Sequence, residues 1–395
     1  MVSNDQGLDP PESAAPRPPR STGREPGENL IFLGRVGGVP VLLSPTWFII
    51  AGLLTVTFAP VVTDRVPGIG GWAYPVAFLF AVLLYASVFV HELGHVVVAR
   101  SFGLPVRRIT LNLLGGLSEI TEEPPTPAKE FAVSAIGPVV SLALGGIGVV
   151  ILQTLSLEGI PGVLVLQLTV ANLFVGVFNL LPGLPLDGGR VVRAGVWALT
   201  GRPTTGTRAA AWAGRAVAVL VIALPFILGG FQGDSPSLFS VIWAALIAAF
   251  IWAGSSQALR SAGIDDTIPT LQARTLSRRA VPVTSSTPLA LGLQQMAAAG
   301  ARAMVVVDGD GRPIGLVNEA AVAAVPMERR PWVNVSTVSR RIAPGSTIPV
   351  SAAGRELLDL MAANPASDYL VVDADERVFG LLASSDVEAA FGIRR

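Results

Sequence analysis

The sequence predicts a polytopic α-helical membrane protein of about six transmembrane helices, followed by a soluble α/β domain. Three observations carry this. The chain is 51% hydrophobic and 14% charged, against about a quarter charged residues in a soluble domain. Six apolar stretches reach the roughly 20 residues that a bilayer crossing needs. Past Arg260 the composition turns polar and mixed, and a pattern begins that recurs 65 residues on.

Taken in order, residues 1–29 are rich in Pro, Glu, Arg, Ser and Gly and have no apolar core, so a disordered tail is expected. The membrane domain is expected over 30–260, with spans near 42–60, 72–101, 130–155, 161–182, 209–229 and 236–258. Trp47, Trp72, Trp197, Trp212 and Trp252 fall near several of these ends, as interfacial anchors would. Gly137, Ser141 and Gly145 form a row of small residues that lets another helix approach closely. Val106–Ile120 alternates loosely and breaks at Gly115-Gly116. It reads as a short hairpin, either a connecting loop or an exposed edge able to hold a peptide as an added strand.

Orientation follows arginine placement. Arg35, Arg100, Arg107, Arg108, Arg190, Arg193, Arg202, Arg208 and Arg260 sit on one set of loops, and the alternate loops carry few charges. A multi-pass protein of the plasma membrane with both termini cytoplasmic is expected. Formal net charge is zero, so no global field points to nucleic acid as a partner. There are no cysteines, which excludes disulfides and thiolate metal sites.

The chemistry concentrates at His91-Glu92-Leu93-Gly94-His95, inside the second span, and these are the only two histidines. Two histidines placed at random fall four apart roughly one time in two hundred. On a helix, positions i and i+4 share a face, so both imidazoles can converge on one ion with Glu92 alongside to take a proton from water. Zinc is the usual ion for such a pair. With Arg100 at the cytoplasmic surface, His95 and His91 lie about 7 and 13 Å inside it at 1.5 Å per residue. Catalytic zinc takes three protein ligands. With no cysteine and no third histidine, the third must be a carboxylate. Asp187 is the strongest candidate, in Asn179-Leu180-Leu181-Pro182-Gly183-Leu184-Pro185-Leu186-Asp187-Gly188-Gly189. The bland alternative for Asp187-Gly188-Gly189 is an interfacial turn.

With H-E-x-x-H at His91, Glu92 and His95, and N-x-x-P-x-x-x-L-D-G at Asn179, Pro182, Leu186, Asp187 and Gly188, the chain resembles the site-2 proteases, intramembrane zinc metalloproteases (peptidase M50-like). The resemblance covers roughly residues 32–260. It implies one Zn2+ per chain on His91, His95 and Asp187, Glu92 as general base, and substrates that are transmembrane proteins such as membrane-anchored regulators. Asn179 is then a candidate donor to the developing oxyanion or to substrate backbone, or else a helix-terminal cap.

In the soluble part, Val305–Val317 recurs as Leu370–Leu382, each copy strand, tight turn, strand, and each preceded by a helix (Met296-Ala297-Ala298, Met361-Ala362-Ala363). Ser384–Glu388 reads as a helix start. The two copies resemble a CBS domain pair, expected over 261–325 and 326–395 on the cytoplasmic side. That resemblance implies modulation of the enzyme, an adenine nucleotide between the copies and homodimerisation. Nucleotide-binding copies often carry Gly-x-x-Ser/Thr-x-x-Asp. The second copy keeps Gly380 and Asp386 with Ala383 at the hydroxyl position, so Asp386 is the candidate ribose contact; the first lacks the acidic residue. A structural or dimerising module stands level with a ligand sensor. Two other functions compete: a membrane transporter or channel gated by the CBS pair, and a catalytically inactive scaffold. The concentration of ionisable groups at one site argues against the first, and the intact Glu92 against the second.

Overall fold

The structure, a computed structural model, describes residues 30–112, 115–233 and 235–391. The expected N-terminal tail over 1–29 and Leu113-Leu114 at the hairpin turn lie outside the described residues. Six described helices are long and apolar enough to cross a membrane: Thr46–Arg65, Gly70–Ser101, Pro127–Thr154, Gly159–Asn179, Pro203–Phe231 and Leu238–Thr270. The described residues form two compact units, those within 1–123 and 139–176, and those within 124–138 and 177–395.

The first unit opens with an antiparallel hairpin, β1 (Ile31–Val36) and β2 (Val39–Leu43), turned at Gly37-Gly38 with positive φ at both. Helix α1 (Thr46–Arg65) follows β2, so part of the apolar run expected in the first span is strand. Helix α2 (Ala73–Ser101) leads into β3 (Val106–Asn112) and β4 (Gly115–Ile120). The last two are the expected hairpin, and they join a four-stranded sheet ordered β1-β2-β3-β4, with β2 and β3 parallel. Alternation along β3 sends Ile109 and Leu111 to one face. There Ile109 packs with Val96, and Leu111 with Trp47, Ala81 and Tyr85. The Tyr85 hydroxyl donates to the Asn112 carbonyl at 2.9 Å, and Arg100 donates to the Gly37 carbonyl. Trp47 is therefore a core residue, edge-on to Tyr85, rather than an interfacial anchor.

Helices α3 (Pro127–Thr154) and α4 (Gly159–Asn179) use small residues as their contact. A Cβ at Gly145 would come within 2.6 Å of the Leu173 side chain, and one at Gly176 within 2.7 Å of Leu142. Close approach without a hydrophobic driving force is the reason for such rows in membrane helices.

In the second unit, α5 (Asp187–Thr200), α6 (Pro203–Gln232) and α7 (Leu238–Thr267) follow. Helix α5 ends at Gly201 and α6 at Gly233, both left-handed, the position glycine takes at a helix C-terminus. Proline at the first position of α6 needs no N–H partner there. Arg215 lies well inside α6. Its guanidinium stacks on Trp212 and Trp252 at 4.8 and 4.9 Å from the ring centroids and donates to Ser256. A charge inside an apolar helix is costly; two aromatic faces and a hydroxyl lower that cost. Glu130 and Arg193 form a buried ion pair at 2.8 Å, which ties α5 to the start of α3.

The soluble region begins with α8 (Ala273–Leu276), and its first copy comprises β5 (Arg278–Thr284), α9 (Leu289–Ala298), β6 (Ala303–Val307), β7 (Pro313–Val317) and α10 (Glu319–Ala323). The second comprises β8 (Ser339–Arg341), β9 (Thr347–Pro349), α11 (Gly354–Ala363), β10 (Asp368–Val372), β11 (Val378–Ala383) and α12 (Ser384–Ala390). All strands share one sheet, ordered β8-β7-β6-β5-β11-β10-β9. The turns are built alike. Asp308 accepts from the N–H groups of Asp310 and Arg312, and Asp373 from those of Asp375 and Arg377. Gly311 takes positive φ in the first turn and Glu376 in the second. Between the copies, Ala303, Val305, Leu316, Leu370 and Leu381 form a shared core.

Candidate active site

Helix α2 carries His91 and Glu92 side by side and His95 one turn on, and all three are buried, at 5%, 8% and 7% exposure. Polar groups buried to this degree need partners. The two Nε2 atoms approach to 3.2 Å. Two nitrogens each about 2.05 Å from a tetrahedral ion stand about 3.3 Å apart, so the imidazoles are spaced as a ligand pair. The other nitrogen of His91, Nδ1, lies 2.9 Å from the Ser141 hydroxyl on α3. With the proton on Nδ1 donated to Ser141, the Nε2 lone pair is free to bind metal, the usual orienting arrangement for a metal-bound histidine. Ser141, the middle member of the small-residue row, thus holds a ring as well as making space.

Asp187 is the first residue of α5. The Asp-Gly-Gly run opens a helix, and the glycines explain why it can. A Cβ at Gly188 would meet the carbonyls of Leu180 and Leu181 at 2.4 Å, and one at Gly189 the backbone of Gly183 and Leu184 at 2.3 Å. The preceding loop folds back onto the first turn of α5. From the other side, Ser255 of α7 donates to the Leu184 carbonyl at 2.7 Å, and Gly214 of α6 leaves room for that carbonyl. The segment at Asp187 is thus clamped by three helices. His91, His95 and Asp187 each offer a ligand atom of a kind that binds metal. Two imidazoles and a carboxylate make a donor set that suits zinc.

Asn179 is the last residue of α4 and is half-buried. Asp386 sits in the first turn of α12, where both carboxylate oxygens accept from Arg278 of β5 at 2.9 Å. Arg278 also donates to Glu319 of α10 at 3.1 Å, so it bridges the two copies. The hydrogen bonds it donates to Asp386 hold this guanidinium still more firmly protonated than usual. Arg278 is the middle residue of a Ser-Arg-Arg run (Ser277–Arg279) that recurs as Ser339–Arg341. That second repeat was missed from the sequence and lines a cleft of about 760 Å³ with Ser285 and Ser336.

Replacing Ser141 by alanine is expected to weaken zinc binding about 10- to 100-fold, the usual cost of losing an orienting partner. Competition against a chromogenic chelator measures it, and threonine at the same position should recover most of the affinity.

Comparison with known proteins gives a consistent result. The model of Peptidase family M50 matches residues 79–161 and 158–224, and that of the CBS domain matches 273–328. Two relatives named as zinc metalloproteases align over nearly the whole chain. The protein sll0528 of Synechocystis sp. is 31% identical over 367 residues, covering 91% of this chain and 94% of its own. Rip3 of Mycobacterium tuberculosis is 33% identical over 385 residues, covering 92% and 93%. Among solved structures, the site-2 protease of Methanocaldococcus jannaschii is 27% identical, with 58% of this chain and 95% of that one covered and a TM-score of 0.40.

Proposed function

The chain belongs to peptidase family M50 and is a multi-pass zinc metalloprotease of the site-2 type, and from that premise we propose that it hydrolyses peptide bonds within or near transmembrane segments of membrane-protein substrates. One observation carries this reading: the His91-Glu92-His95 turn is buried in a helix long enough to span the bilayer. His91, His95 and Asp187 would hold the ion, which when bound supplies Lewis acidity toward a carbonyl oxygen and makes water acidic near neutral pH. Ser141 fixes the tautomer of His91. Glu92 takes the proton of the attacking water as the carbon–oxygen bond forms. It then delivers that proton to the amide nitrogen as the carbon–nitrogen bond breaks. Asn179 donates to the oxygen that gains charge or to the substrate backbone.

Strand β4 is an edge of its sheet, and a substrate unwound from its own helix can add there as a strand. Helix-breaking residues in the substrate favour that unwinding. Membrane-anchored regulators, cleaved near the cytoplasmic face of the plasma membrane, are the substrates we infer, with both termini of the enzyme cytoplasmic. The CBS pair, over 261–325 and 326–395, modulates cleavage and supports dimerisation. Asp386 is the residue we assign to an adenine nucleotide at the CBS pair, and a ligand reaching it displaces Arg278, which holds it in this structure.

The test uses the full chain in proteoliposomes with a single-pass peptide bearing a central Gly-Pro break. Mass spectrometry of the products should place the cut inside or at the edge of the apolar span. A zinc chelator should slow it more than about 100-fold, and added zinc should restore it. ATP or AMP in the same vesicles should change the rate. Cutting confined to soluble peptides would overturn the intramembrane reading, and a rate indifferent to both nucleotides the assigned modulation.

A further inference from the structure

Glu92 does not stand free on its helix. The Ser118 hydroxyl of β4 donates to Glu92 Oε2 at 2.6 Å, a short charge-assisted contact. Two positions earlier on the same strand, and so on the same face, Gly116 presses on the same side chain. A Cβ there would come within 2.2 Å of Glu92 Cγ and 2.7 Å of Cδ. Cross-strand pairing sets both residues opposite Leu111 and Ile109, whose side chains are buried against α2. The face of β4 that bears on Glu92 is thus anchored through β3 to the helix that bears Glu92. Gly116 makes the space and Ser118 supplies the hydrogen bond.

We propose that Ser118 is a positioning residue for Glu92, holding one carboxylate oxygen so that the other addresses the attacking water. A glutamate side chain has three rotatable bonds, and freeing it to sample rotamers costs turnover: a displacement of about 1 Å in a reacting group can cost about 10²-fold. The same contact couples the edge strand to the catalytic centre, so a peptide paired along β4 lies one strand from the residue that holds the base. The proposal rests on Glu92 being the general base.

Four variants of the full-length enzyme in proteoliposomes test it: Ser118→Ala, Ser118→Thr, Glu92→Gln and the double change Glu92→Gln/Ser118→Ala. Three quantities are measured on each: kcat and KM for the single-pass peptide, zinc affinity by chelator competition, and affinity for a hydroxamate. The hydroxamate chelates the metal and shares its proton with a neighbouring carboxylate. Ser118→Ala is expected to lower kcat about 10- to 100-fold, with KM and zinc affinity within about twofold of the parent. Threonine, which keeps the hydroxyl, should return kcat to within about threefold. Hydroxamate affinity should fall about tenfold in Ser118→Ala, but no further on adding that change to Glu92→Gln, because the two act as one unit. A kcat within twofold of the parent in Ser118→Ala overturns the proposal. So does a loss that threonine does not restore, or one accompanied by an equal loss of zinc affinity. Turnover of Glu92→Gln within tenfold of the parent sinks the general-base reading instead, and is told apart by that variant alone.

Discussion

Glutamine in place of Glu92 should lower turnover of a single-pass peptide by about 10²- to 10⁴-fold, the range over which a positioned general base acts. It should leave zinc at one ion per chain. Glutamine matches the shape of glutamate, and its side-chain carbonyl can still accept from Ser118, so the buried turn keeps its packing while losing its basicity. Elemental analysis for zinc and product formation by mass spectrometry check the two halves separately. Residual turnover within tenfold of the parent would remove Glu92 from the chemistry.

Asparagine in place of Asp187 should instead empty the site. Loss of a partner one shell out costs about 10- to 100-fold in metal affinity. Loss of a charged ligand should therefore exceed about 100-fold, with activity lost in parallel. The fold should survive, because the loop is held by Gly188, Gly189, Gly214 and Ser255 rather than by the carboxylate. Zinc content after dialysis, with helicity followed by circular dichroism, decides it. Zinc retained at one per chain would exclude Asp187 as a ligand.

The features legible in the sequence were those with a local period. The i, i+4 spacing of the two histidines and the repeated strand-turn-strand segments appear in the structure where they were expected, and the six apolar runs appear as six long helices whose ends differ by several residues. The hairpin before α1 escaped because Val39–Leu43 is a short apolar run, which reads alike as strand or as the start of a membrane helix. Helix α5 escaped because Asp-Gly-Gly looks like a turn; only the carbonyls of Leu180 and Leu181 show why glycine is needed. Trp47 looked like an anchor because it sits near a helix end, but β3 covers it. The hydrogen-bond partners of these site residues carried no signal of those roles. Ser118 lies 26 residues from Glu92, Ser141 lies 50 from His91, and Arg278 lies 108 from Asp386. Their roles are tertiary, and no window of sequence contains both ends.

Arg278 carries a further consequence. One guanidinium serves carboxylates of both copies, Asp386 and Glu319. Taking its charge away would leave two acids without that shared cation at the junction, so a single side chain ties the stability of one copy to that of the other.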